Sequence, residues 1–125
     1  MPVMNVLLGD MNYTLGINEG NTFLRLAGNL GGGNLVRLGV IFQRGLNQLR
    51  GRFFLSLRGC QAIDSQVLAF LAQQQKSILG AGRALVLVDV PSQILKVLED
   101  SSFAALCEVI PSLAEAEKKY GQIFF

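Results

Sequence analysis

The sequence contains no histidine and no tryptophan, and it has only two cysteines among its 125 residues. The absence of histidine removes the commonest general base and the commonest metal ligand of proteins. Hydrolytic devices that pair a serine or cysteine nucleophile with a histidine are therefore excluded. Carboxylates and lysines remain, but no pair of them stands out. We therefore expect no catalytic residue, no metal site and no cofactor.

Charge is also scarce, because charged residues make up only 16% of the chain, against about 25% in typical domains. The net charge of +2 is too weak for a nucleic-acid partner, which needs a clustered basic face. Arg44, Arg50, Arg52 and Arg58 lie close together but are interrupted by glycine and apolar residues, so we expect ordinary solvated positions. A surface poor in charge favours apolar patches, which usually mark contacts with other proteins.

The sequence predicts neither an export signal nor a membrane-spanning segment. Its first eight residues carry no lysine or arginine, unlike a secretory signal. No apolar stretch approaches the roughly 20 residues that span a bilayer. Cys60 and Cys107 belong to no CxxC pair and are interpreted as reduced core residues. We therefore expect a cytoplasmic protein without membrane insertion.

The length predicts a single domain over residues 1–125, with its core at about residues 13–120. Tyr13, Leu15 and Ile17 alternate with small or polar residues, which indicates a half-buried strand. A turn at residues 19–21 and a second strand with Phe23, Leu24 and Leu26 complete a predicted hairpin.

A glycine-rich loop, residues 28–34, follows the hairpin and leads into the first of four predicted helices. The apolar stripe of this helix comprises Leu35, Leu38, Phe42, Leu46 and Leu49, and Gly51 is expected to end it. Residues 53–57 then form an apolar strand, and residues 58–64 are predicted to be a connecting loop.

The second helix is expected over residues 65–79, with Leu79 on its buried face and residues 73–76 on its wet side. The apolar run at residues 84–88 is typical of a strand covered on both faces. A short helix starting at Pro91 is expected to turn Ile94, Val97 and Leu98 inward. A last strand at residues 106–110 and a helix opened by the capping box of Ser112 and Glu115 complete the chain.

The predicted order is β-β-α-β-α-β-α-β-α. Because the later strands alternate with helices, they should pair in parallel through right-handed crossovers. We therefore predict an α/β fold with a mixed, mostly parallel sheet flanked by four helices.

Four segments carry a resemblance to a known family. Residues 55–65 read LSLRGCQAIDS, residues 82–88 read GRALVLV, residues 91–99 read PSQILKVLE and residues 111–116 read PSLAEA. In their order they resemble the STAS family, the sulphate-transporter and anti-sigma-factor-antagonist domain, over about Tyr13 to Tyr120. The most specific piece is Ile63-Asp64-Ser65, at the junction between the third strand and the second helix.

The resemblance implies a non-catalytic bacterial regulator of transcription. Freestanding members of the family switch partners by binding a serine kinase that also acts as an anti-sigma factor, and phosphorylation of the serine after the aspartate releases them. Ser65 occupies that position, and a phosphatase is a second expected partner. The sequence departs from the family pattern at Gln66, Val67, Gly31 and Ser56; these positions bear on partner recognition.

The residues themselves leave alternatives open. Either Ser65 or Asp64 could cap the second helix, because both residue types favour that position. Phe70 either packs in the core or faces a partner. The docking surface is expected to include residues 59–64, the helix start and the glycine-rich loop, with the candidate partner-binding residues Gly28, Gly31, Asp64, Ser65, Gln66 and Phe70.

Other functions stay open from the sequence alone. A scaffold or lipid-transport accessory protein of the same family is one alternative. A nucleotide or small-molecule domain using the loop at Gly28–Gly33 is another, although the loop has neither P-loop nor GxGxxG spacing. An enzyme with Ser65 as nucleophile ranks last, since no base is evident. The apolar tail, residues 123–125, either folds back onto the domain or meets a second copy, and the second alternative would make the protein an oligomer.

Overall fold

A computed structural model describes residues 11–101 and 107–125 of the chain. The elements follow the predicted order, and a short 3-10 turn at Gly32–Asn34 precedes the first helix. The strands are β1 (Met11–Asn18), β2 (Asn21–Leu30), β3 (Arg52–Ile63), β4 (Ala84–Val88) and β5 (Glu108–Ile110). The helices are α1 (Leu35–Leu46), α2 (Ser65–Gly80), α3 (Ser92–Asp100) and α4 (Leu113–Tyr120).

The five strands form one mixed sheet in the order β1-β2-β3-β4-β5. The first two form an antiparallel hairpin in which Asn18 pairs with Asn21, and the other neighbours are parallel. The turn residue Glu19 has a φ of 54°, and Gly20 after it has a φ of 81°, which a glycine adopts without steric cost. The predicted mixed, mostly parallel α/β fold is therefore confirmed.

Three helices cover one face of the sheet and the fourth covers the other. The larger core joins the inner sides of α1, α2 and α3 to alternate residues of β2, β3 and β4, among them Leu24, Leu55 and Leu87. The smaller core lies on the opposite face, where Ala116 of α4 packs with Phe54. The alternation follows from the two-residue period of a strand. Both faces of the central strands are therefore covered.

Helix α4 and the tail close the second face. Ser112 accepts a hydrogen bond from the Glu115 backbone N–H at 3.2 Å, so Ser112 caps α4 as predicted. Glu108 of β5 accepts hydrogen bonds from Lys119 and from the Tyr120 hydroxyl. The tail folds back onto its own domain, since Ile123 is buried and both Phe124 and Phe125 make edge-to-face contacts with Phe23.

Two predicted loops are wrong, because β2 and β3 continue into them. Residues 58–64 are predicted to form a connecting loop, but β3 runs to Ile63. Residues 28–34 are predicted to form a glycine-rich loop, but β2 runs to Leu30. The two extensions pair with each other, with register shifts in the ladder. Pairing with a distant segment thus overrides the low strand propensity of glycine and polar residues.

The helices differ from prediction at their ends and faces. Helix α1 ends at Leu46, so Leu49 lies outside it and Gly51 is not its terminator. In α2, Leu79 is 44% exposed, whereas Gln75, predicted on the wet side, is completely buried. Gln75 lies four residues after Leu71 and three before Ile78, which places all three on one helical face.

Smaller differences concern the C-terminal third. Pro91 is the N-cap of α3 rather than its first helical residue, and Val97 is 38% exposed instead of facing inward. The last strand begins at Glu108, and the predicted strand residue Leu106 lies outside the described residues. Cys60 is a buried core residue, as predicted, and its thiol donates to the Leu26 carbonyl at 3.4 Å.

Candidate functional site

The candidate site forms where β3 passes into α2. Asp64 is the N-cap residue of α2, and its Oδ1 accepts a hydrogen bond from the Val67 backbone N–H at 2.9 Å. Its Oδ2 accepts from the Gly32 backbone N–H at 2.7 Å. The Asp64 backbone N–H also donates to the Leu30 carbonyl at 3.2 Å. One residue therefore caps the helix and ties it to the segment that follows β2.

Asp64 is held in its ionised form. The hydrogen bond from the Val67 backbone and then that from the Gly32 backbone lower the pKa of its carboxyl below the ordinary value. Donors that satisfy a carboxylate favour its charged form. Negative charge is also favoured beside the positive end of a helix. The junction consequently carries a fixed negative charge at neutral pH.

Ser65 is the first residue of α2 and is exposed. Since Asp64 is the cap, the alternative in which Ser65 caps the helix is wrong. Its hydroxyl makes no hydrogen bond to any residue within the described ranges. A hydroxyl in this position is accessible to an enzyme and is not required to hold the helix.

The glycine segment lies against the same junction. A Cβ at Gly32 would come within 1.8 Å of Gln66 Oε1, so the Gln66 side chain lies over the bare Gly32 backbone. Gly31 precedes this contact and is half-buried, whereas Gly28 lies in the β2 ladder opposite Cys60 with a φ of 97°. Asp64, Ser65 and Gln66 therefore share one surface with Gly31 and Gly32, and Gly28 is set back along the strand.

This arrangement disfavours a phosphate cradle in the glycine segment. The Gly32 amide, which a phosphate would need, already donates to the Asp64 carboxylate. A nucleotide phosphate would have to displace that carboxylate and would meet its negative charge. The nucleotide alternative therefore loses the feature that suggested it.

Phe70 packs against the larger core and is only partly exposed at the surface. Its ring is half-buried and makes an edge-to-face contact with Phe42 of α1, with ring centroids 5.3 Å apart. Phe42 in turn stacks on Phe53 of β3 at 5.2 Å. Such pairs contribute beyond their buried area, so the contacts of Phe70 are those of a core residue that holds α2 against α1.

Two exposed valines lie beside the glycine segment and are not among the predicted site residues. Val36 is 82% exposed and Val40 is 51% exposed, and they lie one turn apart on α1, directly after the 3-10 turn. The signal is present in the sequence, because both residues fall outside the apolar stripe that α1 buries. Apolar side chains on the outer side of a helix mark a contact surface when they are contiguous.

The comparisons with known proteins agree with this architecture. The STAS domain family model matches residues 12–116, so the chain belongs to the STAS family. No curated protein sequence gave a significant match. Within the described ranges, no helix combines the length and apolar character needed to cross a membrane, and the same residues contain no group of side chains that could hold a metal ion.

Solved structures share the fold at low sequence identity. A candidate anti-sigma factor antagonist from Thermotoga maritima is 20% identical, with a TM-score of 0.68 over 88% of this chain and 95% of that one. A sulfate transporter family protein from Wolinella succinogenes is 23% identical, with a TM-score of 0.70 over 83% and 87%. The murine solute carrier 26 family member A9 anion transporter is 14% identical, with a TM-score of 0.68 over 94% of this chain and 24% of the transporter.

Proposed function

We propose that the protein is a non-catalytic, cytoplasmic binding domain that docks to a protein partner and is released when Ser65 is phosphorylated. The observation that carries the proposal is the exposed Ser65 hydroxyl beside the ionised Asp64 at the start of α2. The likeness to an anti-sigma factor antagonist supports a serine kinase with anti-sigma activity as the partner, together with the phosphatase that reverses the modification.

The docking surface in this proposal has a polar part and an apolar part. The polar part comprises Asp64, Ser65 and Gln66 with the glycine segment at Gly31 and Gly32. The apolar part is formed by Val36 and Val40, which lie on the helix that begins after that segment. Apolar anchors with a polar rim are the usual composition of a protein interface.

Phosphorylation would change this surface without unfolding the domain. A phosphate adds about −1.5 to −2 charges at neutral pH, and the positive end of α2 offsets part of that charge within the domain. A partner that covers the surface would have to bury a hydrated dianion next to Asp64. A loss of about 2–5 kcal/mol of binding free energy is expected for an unpaired charge at an interface, which releases a partner of ordinary affinity.

The partner is found by affinity capture of the full chain from its native cell, followed by mass spectrometry. Recovery of a serine kinase or phosphatase supports the switch, whereas recovery of a transporter component supports an accessory role instead. The Kd of the captured partner is then measured for wild type, Ser65→Ala and Ser65→Asp. We expect Ser65→Ala to bind normally and to resist release, and Ser65→Asp to fold normally and bind weakly.

Ser92 provides the matched control. It is also an exposed serine at the first position of a helix, so Ser92→Asp introduces the same charge at the corresponding position of α3, outside the proposed docking surface. Partner binding should be unchanged in Ser92→Asp. If Ser65→Asp binds as well as wild type, and no phosphate is found on Ser65 in native material, the proposed switch is wrong.

A further inference from the structure

A small cavity lies on the α4 side of the sheet, on the face opposite α1, α2 and α3. It has a volume of about 40 Å³ and is lined by Arg25, Ser56, Arg58, Asp89, Leu113 and Phe125. Arg25 and Ser56 are direct partners in the β2–β3 ladder. The regular pairing of two central strands therefore fixes the floor of the cavity.

The cavity is lined by more basic than acidic side chains. Arg58 Nε lies 3.7 Å from Asp89 Oδ2, and the Arg58 side chain is 72% exposed. The exposed Arg25 guanidinium has no hydrogen bond or ion pair with any residue that the structure describes. Among the side chains that line the cavity, two guanidinium groups thus accompany one carboxylate.

The buried hydroxyl of Ser56 adds a donor to the floor. Ser56 is only 3% exposed and lies between the buried Leu55 and Leu57 on a central strand. Its Oγ accepts a long hydrogen bond, 3.4 Å, from the Arg58 backbone N–H. The hydroxyl proton has no acceptor within residues 11–101 and 107–125. A buried polar group normally has such a partner.

We propose that this cavity binds a small oxyanion, either a phosphate or a carboxylate group. Arg25 and Arg58 would donate from their guanidinium groups, whose fork matches both kinds of anion. The Ser56 hydroxyl would donate from the floor. Asp89 keeps Arg58 at the rim, and Leu113 and Phe125 form an apolar wall on one side. The site is independent of the Ser65 surface.

The test is a titration of the ¹⁵N-labelled full chain with inorganic phosphate, in which the amide chemical shifts are monitored by NMR. Chloride keeps the ionic strength constant throughout the titration. A second titration uses acetate. We expect saturable shifts at the amides of Ser56, Arg58 and Asp89, with a midpoint on the order of millimolar, the affinity of a few charge-assisted hydrogen bonds. Saturation by phosphate alone, or by acetate alone, identifies which oxyanion the site takes.

The variants decide whether the cavity is responsible. Arg25→Gln and Arg58→Gln should each raise the Kd about tenfold, the effect of losing one charge-assisted contact, and Ser56→Ala should raise it less. Arg44→Gln changes an exposed arginine in the last turn of α1, on the other face, and should leave the Kd unchanged. Circular dichroism checks that each variant is folded. If a variant is not folded, saturation of the wild-type shifts alone decides whether the oxyanion site exists. Shifts that fail to saturate with both anions, or equal shifts in Arg25→Gln and Arg44→Gln, overturn the proposal.

Discussion

Gly59 is the residue whose substitution tests most directly how β2 and β3 are joined near the site. It lies in the extended part of β3 and pairs with Ala27 of β2. A Cβ added at Gly59 would lie 2.5 Å from the Ala27 side chain and 3.1 Å from the Ala27 backbone. Because the second of these atoms belongs to the backbone, rotation of a side chain cannot relieve the crowding. Gly59→Ala should therefore force the two central strands apart.

The expected cost is that of overpacking, about 1–3 kcal/mol of unfolding free energy. For a chain of 125 residues, the entropy of unfolding makes 1 kcal/mol equivalent to roughly 4 °C in Tm. Gly59→Ala should thus lower Tm by roughly 4–12 °C. The double variant Gly59→Ala with Ala27→Gly removes the Ala27 methyl group that the new Cβ would contact. It should therefore recover most of the lost unfolding free energy.

The measurement is urea unfolding followed by circular dichroism for wild type, both single variants and the double variant. The coupling free energy from this double-mutant cycle reports the interaction between the two positions. Gly80→Ala is the control, because a Cβ there meets nothing within 4 Å and should be neutral or slightly stabilising. If Gly59→Ala is as stable as wild type, or if the effects of the two substitutions on the unfolding free energy are additive, the inference that β2 and β3 approach closely at Ala27 and Gly59 is wrong.

Three further predictions concern single side chains. The folded-state pKa of the Asp64 carboxyl lies below its ordinary value of 3.8, so the ionised carboxylate stabilises the fold above that pH, and this stabilisation is lost as pH falls through the folded pKa. Asp64→Asn should therefore weaken the dependence of unfolding free energy on pH below about pH 4, measured by urea unfolding. An unchanged pH dependence in Asp64→Asn would contradict this prediction. Tyr120→Phe removes the hydroxyl donor to Glu108 and keeps the ring, so thermal unfolding should show a loss of about 0.5–1.5 kcal/mol, whereas no change would show that the bond contributes nothing. Burial raises the pKa of the Cys60 thiol to about 12 and that of the Cys107 thiol to about 11. Iodoacetamide at pH 8 should therefore label both thiols far more slowly in the native protein than in denaturant. Equal labelling rates in the two conditions would refute the protection of these thiols.

Local pattern was sufficient for the elements that local interactions determine. The strand predicted at residues 84–88 coincides with β4. An uninterrupted apolar run of this length between polar segments is typical of a strand that is buried on both faces. The last helix begins after the predicted cap, since the Ser112 hydroxyl accepts from the backbone N–H of Glu115 and donates to its carboxylate within one turn. Fold class and element order follow from such local signals together with the handedness of crossovers.

The extents of β2 and β3 could not be predicted in this way. Gly28 and Asn29 have low strand propensity, and so do Arg58 and Gly59, so each segment alone indicates a loop. Each extension exists because the other pairs with it across about thirty positions of the chain. The same limit applies to the site: the resemblance identified Asp64 and Ser65, but the hydrogen bond from Gly32 to Asp64 depends on where β2 ends.

That hydrogen bond also gives the proposed switch a physical route from Ser65 to the rest of the surface. Asp64 bridges α2 and the glycine segment with its two carboxylate oxygens. A phosphate on Ser65 would introduce a second anion that repels this carboxylate and competes for the same N–H donors. Release of the Gly32 amide would free the backbone over which Gln66 lies. Within the proposed function, phosphorylation therefore acts on both segments of the docking surface and not only by adding charge at one point.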